Sequence, residues 1–142
     1  MAIKLPRKSA NMAASDYNPI AERRLSVVGD PSRTVTVTFG QASQSQSGEW
    51  QCPFQIAGLD VSAESPDQLG YGIDSLSALL NALEGARAVL DASGLVFTWE
   101  GGEAGDTGIP KMIPGGFGRV FAQKVEEYIE WQAGVFATAA KA

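Results

Sequence analysis

The clearest pattern of apolar positions lies in residues 73–93. Apolar residues recur there at steps of three and four, which places them on one face of a helix. That face comprises Leu76, Leu79, Leu80, Leu83, Ala86 and Leu90. Asp74 or Ser75 can cap the start, because a short side-chain oxygen accepts from an unpaired backbone N–H. Gly94 suits the left-handed residue that often closes a helix. We therefore expect a helix whose leucine face is covered by strands.

Alternation of apolar and polar residues predicts strands on both sides of this helix. The predicted strands are residues 22–28, 33–39, 49–57 and 95–99, and residues 58–65 either extend the third strand or form a further short strand. Gly29-Asp30-Pro31-Ser32 suits the turn of an antiparallel hairpin between the first two. Pro53 cannot donate to a sheet ladder, so its strand is expected to lie at an edge or to be bulged there.

The connections differ in composition from these elements. Residues 41–48 are rich in Gln and Ser and predict a mobile connection, and residues 65–72 predict a loop. Residues 100–116 form a long glycine-rich loop, which is typical of a functional or disordered segment. Residues 117–131 have a second amphipathic pattern, which residues 133–142 either continue or end as a frayed tail.

These elements predict an α+β fold in the order β-β-β(β)-α-β-α. We expect a mostly antiparallel sheet of about four or five strands packed against two amphipathic helices. At 142 residues the chain has the length of one domain. The expected organisation is a flexible N-terminal arm over residues 1–20, a single α+β domain over 21–132, and a C-terminal tail or helix extension over 133–142.

The single cysteine, Cys52, excludes an internal disulfide and favours a reducing cytoplasm. The basic residues near the start are followed by no apolar run, so they do not predict a secretory signal. No stretch approaches the ~18 consecutive apolar residues of a membrane span. We therefore expect a cytoplasmic protein with no membrane contact.

Charge is distributed unevenly along the chain. Residues 1–40 carry a net charge of +3 and residues 41–142 a net charge of −8, which gives the total of −5. An acidic body does not favour nucleic acid, whose phosphates require a basic surface. It suits a basic protein partner through electrostatic steering, or it only keeps the protein soluble.

The absence of histidine excludes several chemistries. Ser-His-Asp and Cys-His nucleophiles need an imidazole, and so do nearly all catalytic zinc sites. A lone cysteine cannot hold an iron–sulfur cluster. Cys52 lies between Trp50 and Phe54 and has no basic neighbour, which is typical of a small buried hydrophobic residue. We expect no cofactor and no catalytic residue.

Three segments leave alternatives open. Glu100, Glu103 and Asp106 suit a calcium-type loop, an acid/base pair or a solvated acidic loop, although their spacing does not match an EF-hand. The glycines of residues 115–118 suit a phosphate-binding helix start or a hinge, but no Walker lysine accompanies them. Three aromatic residues near element ends suit interface anchors or lids on the core. They are Tyr71, Trp99 and Trp131.

Short motifs spread over residues 22–132 occur in a suggestive order. They are Glu22-Arg23-Arg24-Leu25, then Cys52-Pro53-Phe54-Gln55-Ile56-Ala57-Gly58-Leu59, Tyr71-Gly72-Ile73-Asp74 leading to Ala78-Leu79, and Gly108-Ile109-Pro110. This order resembles a small bacterial α+β domain family of unknown function. That family favours glutamine before the Ala-Leu pair, where this chain has Ser77. The resemblance implies a bacterial α+β domain and no particular activity.

These observations favour a non-catalytic protein-binding domain, such as an immunity- or antitoxin-type protein that occludes a basic partner. The residues expected to contact the partner are Tyr71, Asp74, Glu100, Glu103, Asp106, Glu126, Glu127 and Glu130. One alternative is a small carboxylate-using enzyme or ligand-binding domain, with Asp74 and the 100–106 loop around a pocket. Another is a component of a larger assembly whose arm and tail order on a neighbour. The sequence leaves the oligomeric state open.

Overall fold

A computed structural model describes residues 18–59 and 68–141 of the chain. Within these residues an antiparallel sheet and two helices confirm the predicted α+β class. The elements are β1 (Pro19–Val27), β2 (Asp30–Gly40), β3 (Ser43–Gln44), β4 (Trp50–Ala57), β5 (Leu69–Gly72), α1 (Ser75–Ala92), β6 (Phe97–Thr98) and α2 (Arg119–Ala140).

The described residues form six strands rather than the four or five expected. The order across the sheet is β3-β4-β2-β1-β6, and β5 also pairs with β4. The two strands that the sequence did not predict are β3 and β5, which lie in segments predicted as connections. Each of these strands is too short to show an alternating apolar pattern. Both form by pairing with β4. The predicted short strand at 95–99 is reduced to β6, which pairs with β1.

The hairpin of β1 and β2 turns more tightly than the four-residue segment 29–32 suggested. Val27 pairs with Asp30, so only Val28 and Gly29 lie in the turn. Gly29 has a φ of +85°, which glycine adopts without steric cost. Strand β2 therefore begins at Asp30, earlier than predicted. Strand β1 is also longer than predicted, because it already begins at Pro19.

Of the two alternatives predicted for Pro53, an edge strand and a bulge, the edge is wrong, and the ladder is irregular at this residue instead. Strand β4 pairs with β2 from Phe54 onward, and with β3 and β5 before it. Pro53 lies at the point where the pairing changes partners, opposite Leu69 of β5. A residue without an N–H is tolerated there because β2 does not reach it.

The hydrophobic core lies between the sheet and α1. The sheet contributes Leu25, Val27, Val35, Val37, Phe39, Cys52, Phe54 and Phe97, and the rest comes from Ala78, Ala82, Ala86, Leu90 and Ile109. The predicted leucine face of α1 is wrong in part. Leu76 is 62 % exposed and Leu80 is 38 % exposed, while alanines occupy the centre of the contact. The reason is the close approach of β5, which leaves no room for larger side chains.

The ends of both helices are defined. Asp74 caps α1, and Gly94 follows the helix with a φ of +72°, as the sequence predicted. Helix α2 begins at Arg119 rather than 117 and continues through Gly134 to Ala140. Its 22 residues include none that is buried.

The chain divides into two compact units after Pro110, and α2 belongs to the second. The single domain predicted over 21–132 stays a prediction. The predicted arm lies mostly outside the described residues. So does most of the segment 58–65, for which the sequence suggested an extension of the third strand or a further short strand.

Candidate functional site

The start of α1 is fixed by a reciprocal pair of hydrogen bonds. The Ser77 amide donates to Asp74 Oδ1 over 2.7 Å, and the Asp74 amide donates to Ser77 Oγ over 3.1 Å. The backbone hydrogen bond from Ser77 holds the pKa of the Asp74 carboxyl below its ordinary value. Ser77 thus completes a capping box, and a glutamine at this helix position can make the same hydrogen bond. Asp74 therefore stabilises the start of α1.

Strand β5 lies against the backbone of α1. A Cβ added to Gly70 would lie 2.7 Å from Ala82 Cα, so only glycine fits at this contact. The Asn81 side chain donates to the Tyr71 carbonyl oxygen and ties the two elements together. The Tyr71 side chain itself is 47 % exposed.

This close contact leaves an apolar stripe at the outer side of α1. The stripe consists of Ile73, Leu76 and Leu80, which are 94 %, 62 % and 38 % exposed. Leu76 and Leu80 lie one turn apart on the same face of the helix, and Ile73 immediately precedes the capping residue. Sequence reasoning placed these leucines in the core and did not identify them as a surface.

Two arginines hold the segment before Pro110. Arg23 of β1 stacks on the Trp99 ring, 3.9 Å from its centroid, and donates to the Thr107 carbonyl oxygen over 3.1 Å. Arg87 of α1 donates to the Ile109 carbonyl oxygen over 3.0 Å. Trp99 is therefore half-buried by this contact rather than free for a partner. Arg23 and Gly108, the residue after Thr107, both lie in the motifs quoted above. Because they are far apart along the chain, the sequence did not show that the two segments touch.

An open pocket of about 200 Å³ lies beside these arginine contacts. Residues that line it include Glu22, Arg23, Phe39, Leu83, Ile109 and Pro110. Its lining does not include Asp74, Glu100, Glu103 or Asp106, the carboxylates expected around a ligand pocket. Its volume is smaller than the ~300–1,000 Å³ typical of ligand sites.

The acidic loop is organised by its own backbone. The Gly105 amide donates to the Phe97 carbonyl oxygen over 2.8 Å, and Asp106 Oδ1 accepts from the Gly108 amide over 2.8 Å. Glu100 and Glu103 are exposed, and Glu100 has a φ of +52°. Loop residues 99–106 are thus a folded turn that presents carboxylates to solvent. Within residues 18–59 and 68–141, no three His, Cys, Asp or Glu residues are grouped so that they could hold a metal ion.

The remaining predicted contact residues lie on α2. Glu126 forms an ion pair with Arg119 over 3.2 Å, and Glu127 accepts from the Gln123 side chain over 2.9 Å. Glu130 is exposed. Trp131 is 61 % exposed. These residues share one helix and belong to the second unit, whereas Tyr71, Asp74 and the acidic loop belong to the first.

Cys52 is fully buried, and its thiol lies 3.3 Å from the Gly40 carbonyl oxygen. Burial raises the pKa of this thiol, which suppresses the reactive thiolate. No helix among the described residues is long and apolar enough to cross a membrane.

The fold and this surface define a small α+β domain in which one helix packs on an open antiparallel sheet. The chain belongs to the family described as a domain of unknown function, DUF6968, whose model matches residues 21–111. No curated protein matches the chain. No solved structure matches it either.

Proposed function

We propose that the chain is a non-catalytic protein-binding domain of the immunity or antitoxin type, which occludes a basic partner protein. The observation that carries this proposal is the exposed apolar stripe of Ile73, Leu76 and Leu80. Exposed apolar side chains grouped on one face of a protein favour a protein contact. The stripe lies in the family-matched part of the chain.

The charge of the part of the chain that bears the stripe supports a basic partner. Residues 68–111 contain six Asp or Glu residues against Arg87 and Lys111. Carboxylates on a protein surface attract a positively charged partner over a distance and increase the rate of encounter. We infer that the stripe supplies the contact and that Glu100, Glu103 and Asp106 steer the partner towards it. The lone buried cysteine supports our proposal of a cytoplasmic site of action.

The geometry gives less support to a carboxylate-using enzyme. A general acid or base needs a pKa near the working pH, but the pKa of Asp74 is moved downward by its capping hydrogen bonds. The open pocket beside Arg23 is small and contains none of the carboxylates proposed for such chemistry. The binding proposal depends instead on the exposed stripe of Ile73, Leu76 and Leu80.

The test is capture of partners from native lysate by the full chain and by matched variants. The stripe variant is Ile73→Ser with Leu76→Ser. Its control is Val28→Ser with Val96→Ser, because both valines are about half exposed in the same unit. We expect one identified, basic partner that is retained by the native chain and the control and is lost with the stripe variant.

The purified partner then tests steering. The loop variant combines Glu100→Gln, Glu103→Gln and Asp106→Asn and so removes three charges. The side-chain oxygen that remains at position 106 still accepts from the Gly108 amide. Association should slow by about tenfold at low salt and lose much of its salt dependence.

Three outcomes would count against parts of this proposal. Unchanged association rates of the loop variant would show that the acidic loop does not steer the partner. Retention of the partner by the stripe variant would show that the stripe is not the contact surface. Stabilisation by small molecules with no protein captured would favour a ligand-binding domain.

A further inference from the structure

Helix α2 presents a wide apolar face that nothing in the described residues of its unit buries. Tyr128, Trp131 and Phe136 are between 59 % and 71 % exposed, and Val135 is 46 % exposed. An amphipathic helix draws most of its stability from covering such a face. We propose that α2 pairs in antiparallel orientation with α2 of a second copy of this chain, giving a two-fold symmetric dimer. This inference is independent of the function proposed above.

The spacing of the central apolar residues is that of a coiled-coil seam. The seam residues are Phe121, Val125, Tyr128, Gln132, Val135 and Ala139, which follow steps of four and three over nearly three heptads. Gln132 is the single amide among them and is half-buried. One polar residue at such a position specifies register and oligomeric state at some cost in stability.

Antiparallel pairing about the level of Glu130 matches these residues by size and polarity. Phe121 then faces Ala139 of the second copy, a large side chain against a small one. Val125 faces Val135, and Tyr128 faces Gln132, so that the hydroxyl and the amide can form a hydrogen bond. In a parallel pair each residue faces itself, which puts Phe121 on Phe121 at one end and Ala139 on Ala139 at the other.

The charges of α2 permit this pairing. Glu126, Glu127 and Glu130 lie on the side of the helix opposite the seam, and Arg119 pairs with Glu126 within the same helix. Only Lys124 flanks the seam, and in the antiparallel pair it lies beside Thr138. No like charges therefore meet across the contact. The acidic outer face also disfavours binding to a lipid surface, which selects helices rich in Lys and Arg.

The exposed aromatic area supplies a large part of what a specific contact needs. A fully covered aromatic side chain buries about 150–250 Å². Tyr128, Trp131 and Phe136 are 59–71 % exposed, so they can bury about half to three quarters of the roughly 600 Å² per partner at which specific interfaces begin. Phe121 is the fourth aromatic residue on this face. Tyr128 and Trp131 already contact each other, with ring centroids 5.6 Å apart.

The first test measures the mass of the full chain by sedimentation from about 1 µM to about 1 mM. We expect a reversible dimer. Val135→Glu places a charge in the seam and should weaken dimerisation about tenfold or more. The control, Ala137→Glu, adds the same charge on the outer face, where it lies four residues before Lys141 and should preserve helix and dimer.

A native chain that stays monomeric throughout would overturn the proposal. So would a dimer that Val135→Glu leaves unchanged, since that dimer would use another surface. Circular dichroism of Val135→Glu shows whether the remaining fold is intact. If that variant loses the fold, Phe121→Ala tests the same seam without adding a charge, with the same expected weakening.

The second test fixes the orientation of the pair by mild oxidation of single-cysteine variants. Cys52 is fully buried and does not compete. Val125→Cys and Val135→Cys should form a disulfide-linked dimer when mixed and not when oxidised separately. Cross-linking of each variant alone would overturn the antiparallel arrangement. A dimer that yields no cross-link in the mixture would overturn the proposed register.

Discussion

At the scale of single residues, Gly70 and Asp74 determine how α1 lies on the sheet. Gly70 allows the backbone of β5 to touch the backbone of α1 at Ala82. Asp74 pairs reciprocally with Ser77 and starts the helix directly after that strand. Gly70 acts through a backbone contact and Asp74 through hydrogen bonds, so neither effect depends on the size of a hydrophobic side chain.

Gly70→Ala should lower the free energy of unfolding by about 1–3 kcal/mol, because the added methyl group overpacks the contact with α1. Chemical denaturation of the full chain measures this change. Gly115→Ala is the control, since nothing lies within 4 Å of a Cβ there and its expected effect is below about 0.5 kcal/mol. Equal midpoints for the two variants would contradict the close packing of β5 on α1.

Asp74→Asn should change the pH dependence of stability. The pKa of Asp74 in the folded protein is lower than its ordinary value of 3.8, so its charge stabilises the fold above pH 3.8. That contribution is lost as the pH falls through the lower folded value. The native chain should therefore lose its advantage over Asp74→Asn under acidic conditions, which urea midpoints at several pH values will show. A constant difference between them would contradict this role.

At the scale of elements, α1 has two different apolar surfaces. Its inner surface is built from Ala78, Ala82 and Ala86, which allow close packing on the sheet, with Leu90 filling the end. Its outer surface bears Leu76 and Leu80, which are exposed. Leucine residues of the same helix thus differ in what they stabilise.

Leu90→Ala and Leu76→Ala should separate these two surfaces. Leu90 is 1 % exposed, and its truncation should cost about 2–5 kcal/mol through the cavity that it leaves. Leu76 is 62 % exposed, and its truncation should cost about 0.5 kcal/mol or less. Thermal or urea unfolding measures both, and a large loss for Leu76→Ala would contradict its assignment to the partner surface.

At the scale of the whole molecule, the family-matched part and α2 each have an exposed apolar surface of their own. Residues 21–111 include the sheet, α1 and the apolar stripe, whereas α2 has an exposed apolar face and an acidic outer face. We propose that the apolar stripe binds a partner protein and that the apolar face of α2 binds a second copy of the chain. A dimer through α2 would present two stripe surfaces and two acidic helix faces, which would increase the avidity for a basic partner with repeated sites.

The sequence by itself determined the local features. The alternation of Val35, Val37 and Phe39 specified a strand, and the periodicity of α1 with its Asp74 cap specified a helix, because both depend on residues close along the chain. The α+β class followed from the order of these elements. The placement of the acidic loop and of buried Cys52 also followed from neighbouring residues.

Only the tertiary structure decided which side of α1 is covered. Periodicity showed an apolar face, but the approach of Gly70 to the α1 backbone shifted the contact to the alanines and exposed Leu76 and Leu80. Strand β5 itself carries no sequence signal, because its partner β4 supplies the pairing. The contact of Arg23 with Trp99 and Thr107 joins residues far apart in sequence. Such features depend on which surfaces meet, and local patterns do not encode that.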